Sequence, residues 1–370
     1  GCHSWCHTQA SFDELAFLAL WHNWAADAAR PTHLHVVAHT TQPLLTEAVL
    51  RTATAQPELL PFAEQLAAQC WGLLPGMHRL RFAHHHLTLT LCVGNKEAWP
   101  EFDEVLQAHP TGPCITPADL KALSERTVTV IGAGIAGAGT ARALAERGWQ
   151  VTVLDAGATP AAGASGLPVG VVAPHTSHDD SGVSRLSRAG LRFMEQTMRE
   201  LLQEGVDWGC TGVRERRLPG KTRRGGVPLS WLHEHASTAN DWTHKAPPPT
   251  PDDAYWHPRG AWLRPAQLVR ALLSHHNIRW QGQAHADRLR CLAGAWQVLQ
   301  GHTVLAKSAR VVVAAGPGSA ALVATATADG SSPRINPLRG QVSWGLMADV
   351  PTDAYLPATP VNGNGSFVHH

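Results

Sequence analysis

The chain has 370 residues, 44% of them hydrophobic, with 30 basic against 29 acidic side chains. That length allows one large core or two domains, and the near-zero net charge excludes a global field that draws the protein to nucleic acid. A polyanion partner must therefore be met by a local patch. Seven cysteines, an odd number without framework spacing, imply reduced thiols and a cytoplasmic setting. Cys2 and Cys6 stand beside His3 and His7, but no second ligand pair follows at zinc spacing, so no metal is expected. Neither a signal peptide nor a run of about 18 apolar residues is present, which argues against a membrane partner. The chain begins without Met and stops on "GSFVHH", and we expect both ends to be cut.

In chain order, residues 1–122 hold helical patches, "FDELAFLALWHNWAADAA" and "LLPFAEQLAAQCWGLL", and alternating strands, "LHVVAH" and "HLTLTLCV". His84, His85 and His86 fall where a hairpin tip is natural, and three consecutive residues cannot share one face of a strand. "HPTGPCITPADLKALSER" reads as a linker plus a short helix. A second domain is expected over 126–370. It opens with "TVTVIGAGIAGAGTARALAERGWQVTVLD", which reads as strand, glycine turn, helix, strand and terminal acid.

Gly132, Gly134 and Gly137 form GxGxxG directly after that first strand, spanning Ala133, Ile135 and Ala136. The first glycine permits a tight turn, the second admits a pyrophosphate to the backbone, and the third lets helix and strand pack closely. The helix N-terminus then offers unpaired N–H groups and partial positive charge to phosphates. Asp155 follows Gly132 by 23 residues, at the end of the second strand, and suits a ribose diol. An empty glycine-rich turn is the bland alternative, and the complete strand–turn–helix–strand–acid context weighs against it. The motif alone does not separate NAD from FAD. A second small-residue loop after the acid (Gly163, Ala164, Ser165, Gly166) offers the close backbone approach a flavin dinucleotide needs.

"VRERRLPGKTRRGG" carries Arg214, Arg216, Arg217, Lys221, Arg223 and Arg224 against Glu215. Such a loop either contacts RNA phosphates or is a solvated surface, and both readings stand at this point. Arg339, in "PLRGQVS", either orients a substrate carboxylate near the flavin or forms a structural ion pair; Arg suits bidentate carboxylate binding. The fourteen Trp are mostly core, with Trp208, Trp256 and Trp262 the candidates for stacking on a base. "RPAQLVRALLSHH" returns to helix, and "ARVVVAAGPGS" is an apolar run ending in glycine, as buried parallel strands do.

"VVVAAG" (Val311–Gly316), "GAWLRPAQLVRALL" and "PLRGQVS", taken with the glycine turn, resemble the glycine-oxidase and D-amino-acid-oxidase superfamily of flavoproteins. The resemblance implies FAD as cofactor, held by the glycine turn, Asp155, Ala164, Ser165, Gly166, Ala315, Gly316 and Gly340. It also implies a sheet-based substrate subdomain over about 185–305. The first third, "LALWHNWAADAARPTHLHVVAHTTQPLLTEAVLRTA" with "PELLPFAEQLAAQCWGLLPGMHRLRF", resembles the methyltransferase half of MnmC-type bifunctional tRNA wobble-uridine modification proteins. In that family the FAD half removes the carboxymethyl group of 5-carboxymethylaminomethyl-uridine as glyoxylate, and the other half methylates the resulting amine. The expected fold is thus α/β throughout: a partial methyltransferase-like remnant over 1–122, then an FAD-binding Rossmann-like domain with its substrate subdomain, incomplete at its C-terminal end. The expected partner is tRNA.

The first third departs from that family. Thr8-Gln9-Ala10-Ser11-Phe12-Asp13-Glu14 replaces a glycine-rich turn for the methyl donor, Thr40 stands where a ribose-binding acid is expected, and Gly94-Asn95 replaces a Gly-Asp pair. Only about 30 residues separate Asn95 from Thr127, too few to finish a doubly wound sheet. Methyl transfer is therefore expected to be lost. Two other functions compete with the oxidation of tRNA: a small-molecule glycine or sarcosine oxidase, and a non-catalytic RNA-binding remnant. Neither a general base nor an oligomeric state is legible.

Overall fold

The computed structural model describes residues 4–95, 112–113, 126–216, 236–246, 254–292, 294–351, 353–354, 356–363 and 365–369. The chain forms two compact units. One comprises Gly1–Lys121, Pro174–Arg192 and Glu215–Arg259, and the other Ala122–Ala173, Phe193–Arg214 and Gly260–His370. The first exchange between units, at Lys121/Ala122, falls beside the sequence boundary expected at 122–126. Two later stretches belong to the first unit although they follow that boundary.

The first unit is an α/β layer. Strands β1 (Ser4–Gln9), β2 (His33–Thr40) and β4 (Leu87–Val93) run parallel, with β3 (Gly76–Phe82) antiparallel at one edge and β5 (Gly112–Pro113) at the other. Alternating residues of β2 and β4, Leu34, Val36 and Ala38 with Leu87, Leu89 and Leu91, point into one core. Helix α1 (Glu14–Ala26) lays Phe17, Leu18, Trp21 and Trp24 onto it, and α3 (Leu60–Ala67) adds Ala63 and Leu66, while α2 (Thr46–Thr52) adds Val49. The turn between β3 and β4 holds the three histidines; Ala83, His84 and His85 all have positive φ.

The second unit is built on a parallel sheet. β6 (Thr127–Ile131) lies between β7 (Gln150–Leu154) and a strand from the far end of the chain, so the sequence segment 126–155 forms only its middle. Helix α4 (Ile135–Glu146) connects β6 to β7. Strands β8 (Gly170–Val172), β9 (Trp208–Gly209) and β10 (Ala261–Leu263) make a small antiparallel sheet centred on β10. Helix α5 (Pro265–Leu273) then leads to β11 (Ile278–Gln281), which pairs parallel with β7. β12 (Arg288–Leu292), β13 (Ala295–Gln300) and β14 (Thr303–Ser308) form an antiparallel meander. β15 (Arg310–Val313) pairs parallel with β6, and α6 (Ser319–Ala324) follows, giving the order β11-β7-β6-β15. Val128, Val130, Val151 and Val153 of the central strands pack on Ala141 and Ala145 of α4. The small alanine and glycine residues of α4 are what let it lie close to the sheet. Trp208 and Trp262, 1% and 6% exposed, are core residues, which removes both from the candidates for base stacking.

Candidate functional site

The sheet order brings the C-terminal ends of β6, β7 and β15 together, and a cleft of about 940 Å3 opens there. A ligand outside the carboxyl ends of parallel strands is the general expectation for such a sheet. Small residues, Gly132, Gly134, Ala136, Gly157, Ala164 and Ser165, make up much of the lining, beside the larger Ile131, Leu154, His285 and Leu322.

The glycine turn is shaped by its own packing. Gly132 has φ +110°, and its N–H donates to Leu154 O at 2.7 Å. The buried Ala133 N–H donates to Asp155 Oδ2 at 2.6 Å, and Gly157 N–H donates to Asp155 Oδ1 at 2.8 Å. The carboxylate thus ties the turn to the end of β7, and each oxygen keeps a further lone-pair direction for a ligand. Gly134 is the N-cap of α4 and supplies no side-chain cap. Ser165 Oγ accepts from Ile135 N–H at 3.0 Å, so the second small-residue loop is fastened to the start of the helix. Gly137 lies against β6, where a Cβ would be 1.9 Å from Gly132 O.

Most of the residues expected at the cofactor meet here. Gly132, Gly134, Ile135, Ala136, Asp155, Ala164, Ser165, Ala315 and Gly316 line the cleft. Ala133, Gly137 and Gly166 stand behind that lining and fix its backbone; Gly166 N–H donates to Gly163 O at 2.9 Å. Arg339 and Gly340 are exposed, on an irregular stretch, and are not part of the lining. Sequence reasoning missed Ala284, His285, Ala286 and Asp287, which form a wall of the cleft after β11. The alternating Ile278 and Trp280 of "IRWQ", followed by Gly282, are the signal that a third strand ends beside Asp155.

The residues present fit a flavin dinucleotide. A helix start whose own N-cap is a glycine accepts a pyrophosphate, a carboxylate at the end of the second strand accepts a ribose diol, and the alanine and glycine residues of the lining admit the chain between them.

Of the basic loop, Arg214 and Arg216 are described. Arg216 is exposed, and Arg214 is half-buried, with its backbone N–H donating to Pro360 O. Arg217, Lys221, Arg223 and Arg224 lie outside the described residues, as do most of the linker and its expected helix. Among the described residues no cluster of three metal-ligating side chains occurs, and no helix is long and apolar enough to cross a membrane.

In the first unit, the turn expected to hold a methyl donor is filled by the protein itself. Asp13 caps α1 by accepting from Ala16 N–H at 2.7 Å, and Phe12 N–H donates to His39 O. The Phe12 ring packs on Phe17 at 5.5 Å between centroids, against the core. Thr40 Oγ1 donates to Gln42 O at 2.7 Å, and His39 Nε2 donates to Gly94 O at 2.7 Å.

The profile of the FAD dependent oxidoreductase family matches residues 127–367. The tRNA 5-methylaminomethyl-2-thiouridine biosynthesis bifunctional protein MnmC of Polaromonas naphthalenivorans is 39% identical over 458 aligned positions, covering 100% of this chain and 70% of that one. The protein of the same description from Paracidovorax citrulli is also 39% identical, over 96% of this chain and 69% of its own. The 458 aligned positions exceed this chain's 370 residues by 88, so the Polaromonas protein has internal segments without a counterpart here. Glycine oxidase from Geobacillus kaustophilus superposes with a TM-score of 0.41 at 19% identity, over 54% of this chain and 57% of that one. The chain belongs to the FAD dependent oxidoreductases over residues 127–367, and over its whole length to the family of MnmC bifunctional tRNA-modification proteins.

Proposed function

We propose that the protein removes the carboxymethyl group from 5-carboxymethylaminomethyl-uridine at the tRNA wobble position by FAD-dependent oxidation, leaving aminomethyl-uridine. The observation that carries this reading is the cleft at the carboxyl ends of β6, β7 and β15, in a chain that aligns over its whole length with a protein named for tRNA 5-methylaminomethyl-2-thiouridine biosynthesis. When bound, FAD supplies the two-electron acceptor for a C–N bond.

The chain supplies position. The start of α4 at Gly134–Ala136 receives the pyrophosphate, Asp155 the adenosine ribose, and Ala164, Ser165, Ala315 and Gly316 the backbone-close passage between. The loop from Arg214 to Arg224 meets tRNA phosphates, and Arg339, exposed and outside the cleft lining, takes no part in this reading. The cytoplasm, where tRNA is modified, is the proposed location.

Methyl transfer is absent from this reading. Phe12 and Asp13 occupy the turn, Thr40 offers no carboxylate, and only about 30 residues separate Asn95 from Thr127, too few to finish a doubly wound sheet. No observation favours a small-molecule amine oxidase or a non-catalytic RNA-binding protein.

The test is nucleoside mass spectrometry of tRNA from cells lacking the gene. Accumulated 5-carboxymethylaminomethyl-uridine is expected, reversed by restoring the gene. Unchanged nucleosides would overturn the proposal.

A further inference from the structure

The first unit does not follow the division of the sequence into a methyltransferase-like third and an oxidoreductase portion. Its joint is the turn Gln69–Gly72, between α3 and β3. Arg192, only 3% exposed, sends its guanidinium into this turn. Nη1 donates to Gln69 O at 3.0 Å, and Nη2 donates to Trp71 O. The same guanidinium lies 3.9 Å from the centre of the Trp71 ring, and that of Arg259 lies 3.7 Å from it. Trp242, 2% exposed, donates from Nε1 to Gly72 O at 2.7 Å, and its ring centre is 4.8 Å from that of Trp71. Gly72 N–H donates to Asp241 Oδ2 at 2.6 Å.

Both peptide groups of Gly72 are therefore paired with two consecutive residues, 169 and 170 positions downstream. Glycine is required there, because φ is +58° and a Cβ would lie 2.3 Å from Trp242 Nε1. Gln69 Nε2 donates onward to Arg81 O at 2.7 Å, which fastens the turn to β3. These are charge-assisted or backbone-directed bonds, that of Trp242 to Gly72 buried and the others part-buried. Breaking one side leaves a buried donor or acceptor without its partner, so the pieces cannot separate cheaply.

We infer that the first third serves as a structural support for the oxidoreductase portion. Gln69–Gly72 is the seat that holds Arg192, Asp241, Trp242 and Arg259, and the three pieces of this unit open together. The inference goes beyond the proposed reaction and does not depend on the substrate. It gives the methyltransferase-like remnant a task other than methyl transfer.

Hydrogen exchange read by mass spectrometry on the full chain with FAD present tests it, using perturbations from both sides of the joint. Gly72→Ala, made in the first third, is expected to speed exchange about tenfold in peptides covering residues 182–192 and 236–246, the scale of one broken buried hydrogen bond. Trp242→Phe removes a single donor from the other side and is expected to speed exchange to a similar degree in residues 66–82. Peptides from β6 to β7 should exchange as in the parent protein in both variants. Effects confined to the stretch that carries the substitution would overturn the inference. Should Gly72→Ala fail to fold, Trp242→Phe decides the matter alone, since it leaves every backbone conformation available.

Discussion

A Cβ on Gly137 would sit 1.9 Å from Gly132 O, and one on Gly132 would sit 2.2 Å from Ala314 O, whereas one on Gly134 would meet only the Ser165 hydroxyl, at 3.1 Å. The outer two glycines are thus demanded by the fold, and the middle one by what enters the cleft. We expect Gly134→Val to keep native circular dichroism but to purify without stoichiometric flavin, because the branched side chain fills the phosphate approach. Gly137→Ala should lose the fold itself. Full flavin absorbance in Gly134→Val would count against the cofactor assignment. His78 gives a test by pH. Burial first, and the nearby Arg192 second, lower its folded pKa to about 4, while its Nε2–H donates to Leu74 O. The unfolded histidine titrates near about 6.5, so between these values the unfolded chain binds the extra proton. Stability of the first unit is therefore full above the upper value and drains as pH falls toward the lower one. His78→Gln should flatten this slope in denaturant titrations at about pH 7.5 and about pH 4.5. Thiols should separate as well: burial pushes Cys70 up to about 12 and Cys92 up to about 11, whereas Cys291 is exposed. Among the described cysteines, a thiol reagent should modify Cys291 first and Cys70 more slowly.

The hairpin β3–β4 and the unit β6–α4–β7 show what local sequence reveals. Alternation in "HLTLTLCV" marks β4, and "TVTVI", the glycines and Asp155 mark the second unit's centre, because each signal is contained within about 30 residues. The hairpin tip was legible from the three histidines, but its strain was not: Ala83, His84 and His85 have φ of 50°, 50° and 70°. His84 is exposed, so His84→Gly should stabilise the protein by about 1 kcal/mol, read as a higher denaturation midpoint. Other features had no local signature. The cleft wall at Ala284–Asp287 depends on β11 pairing with β7 across a long connection, and Ser165 acts at Ile135 only because the loop folds back. Likewise, nothing in "CWGLL" announces that Gly72 meets Asp241 and Trp242. Long-range partners are chosen by shape and hydrogen bonding, which periodicity does not encode.

At the scale of the whole chain, a methyl donor and a flavin make opposite demands, and the two units answer differently. The first unit has closed its donor turn with Asp13 and Phe12, so calorimetry with S-adenosylmethionine should register no binding, and the purified protein should not methylate aminomethyl-uridine tRNA. Micromolar binding would show that a donor pocket survives around Phe12 and Thr40. Replacing Arg216, Arg217, Arg223 and Arg224 together with Ala should weaken tRNA binding and flatten its salt dependence by about one unit for each phosphate the loop no longer neutralises. An unchanged slope would make that loop a solvated surface. The second unit is more open in the corresponding place, since Gly134 supplies no side chain of its own to cap α4 and Ser165 Oγ takes just the Ile135 N–H. Asp13 caps α1 from its own turn, whereas the start of α4 relies on Ser165 and on its ligand. Binding and folding are consequently linked: each tenfold rise in free FAD above its dissociation constant should add about 1.4 kcal/mol to the stability of this unit. In a cell short of riboflavin the flavin-free form would be the less stable one, so vitamin supply would bear on the protein's abundance as well as its turnover.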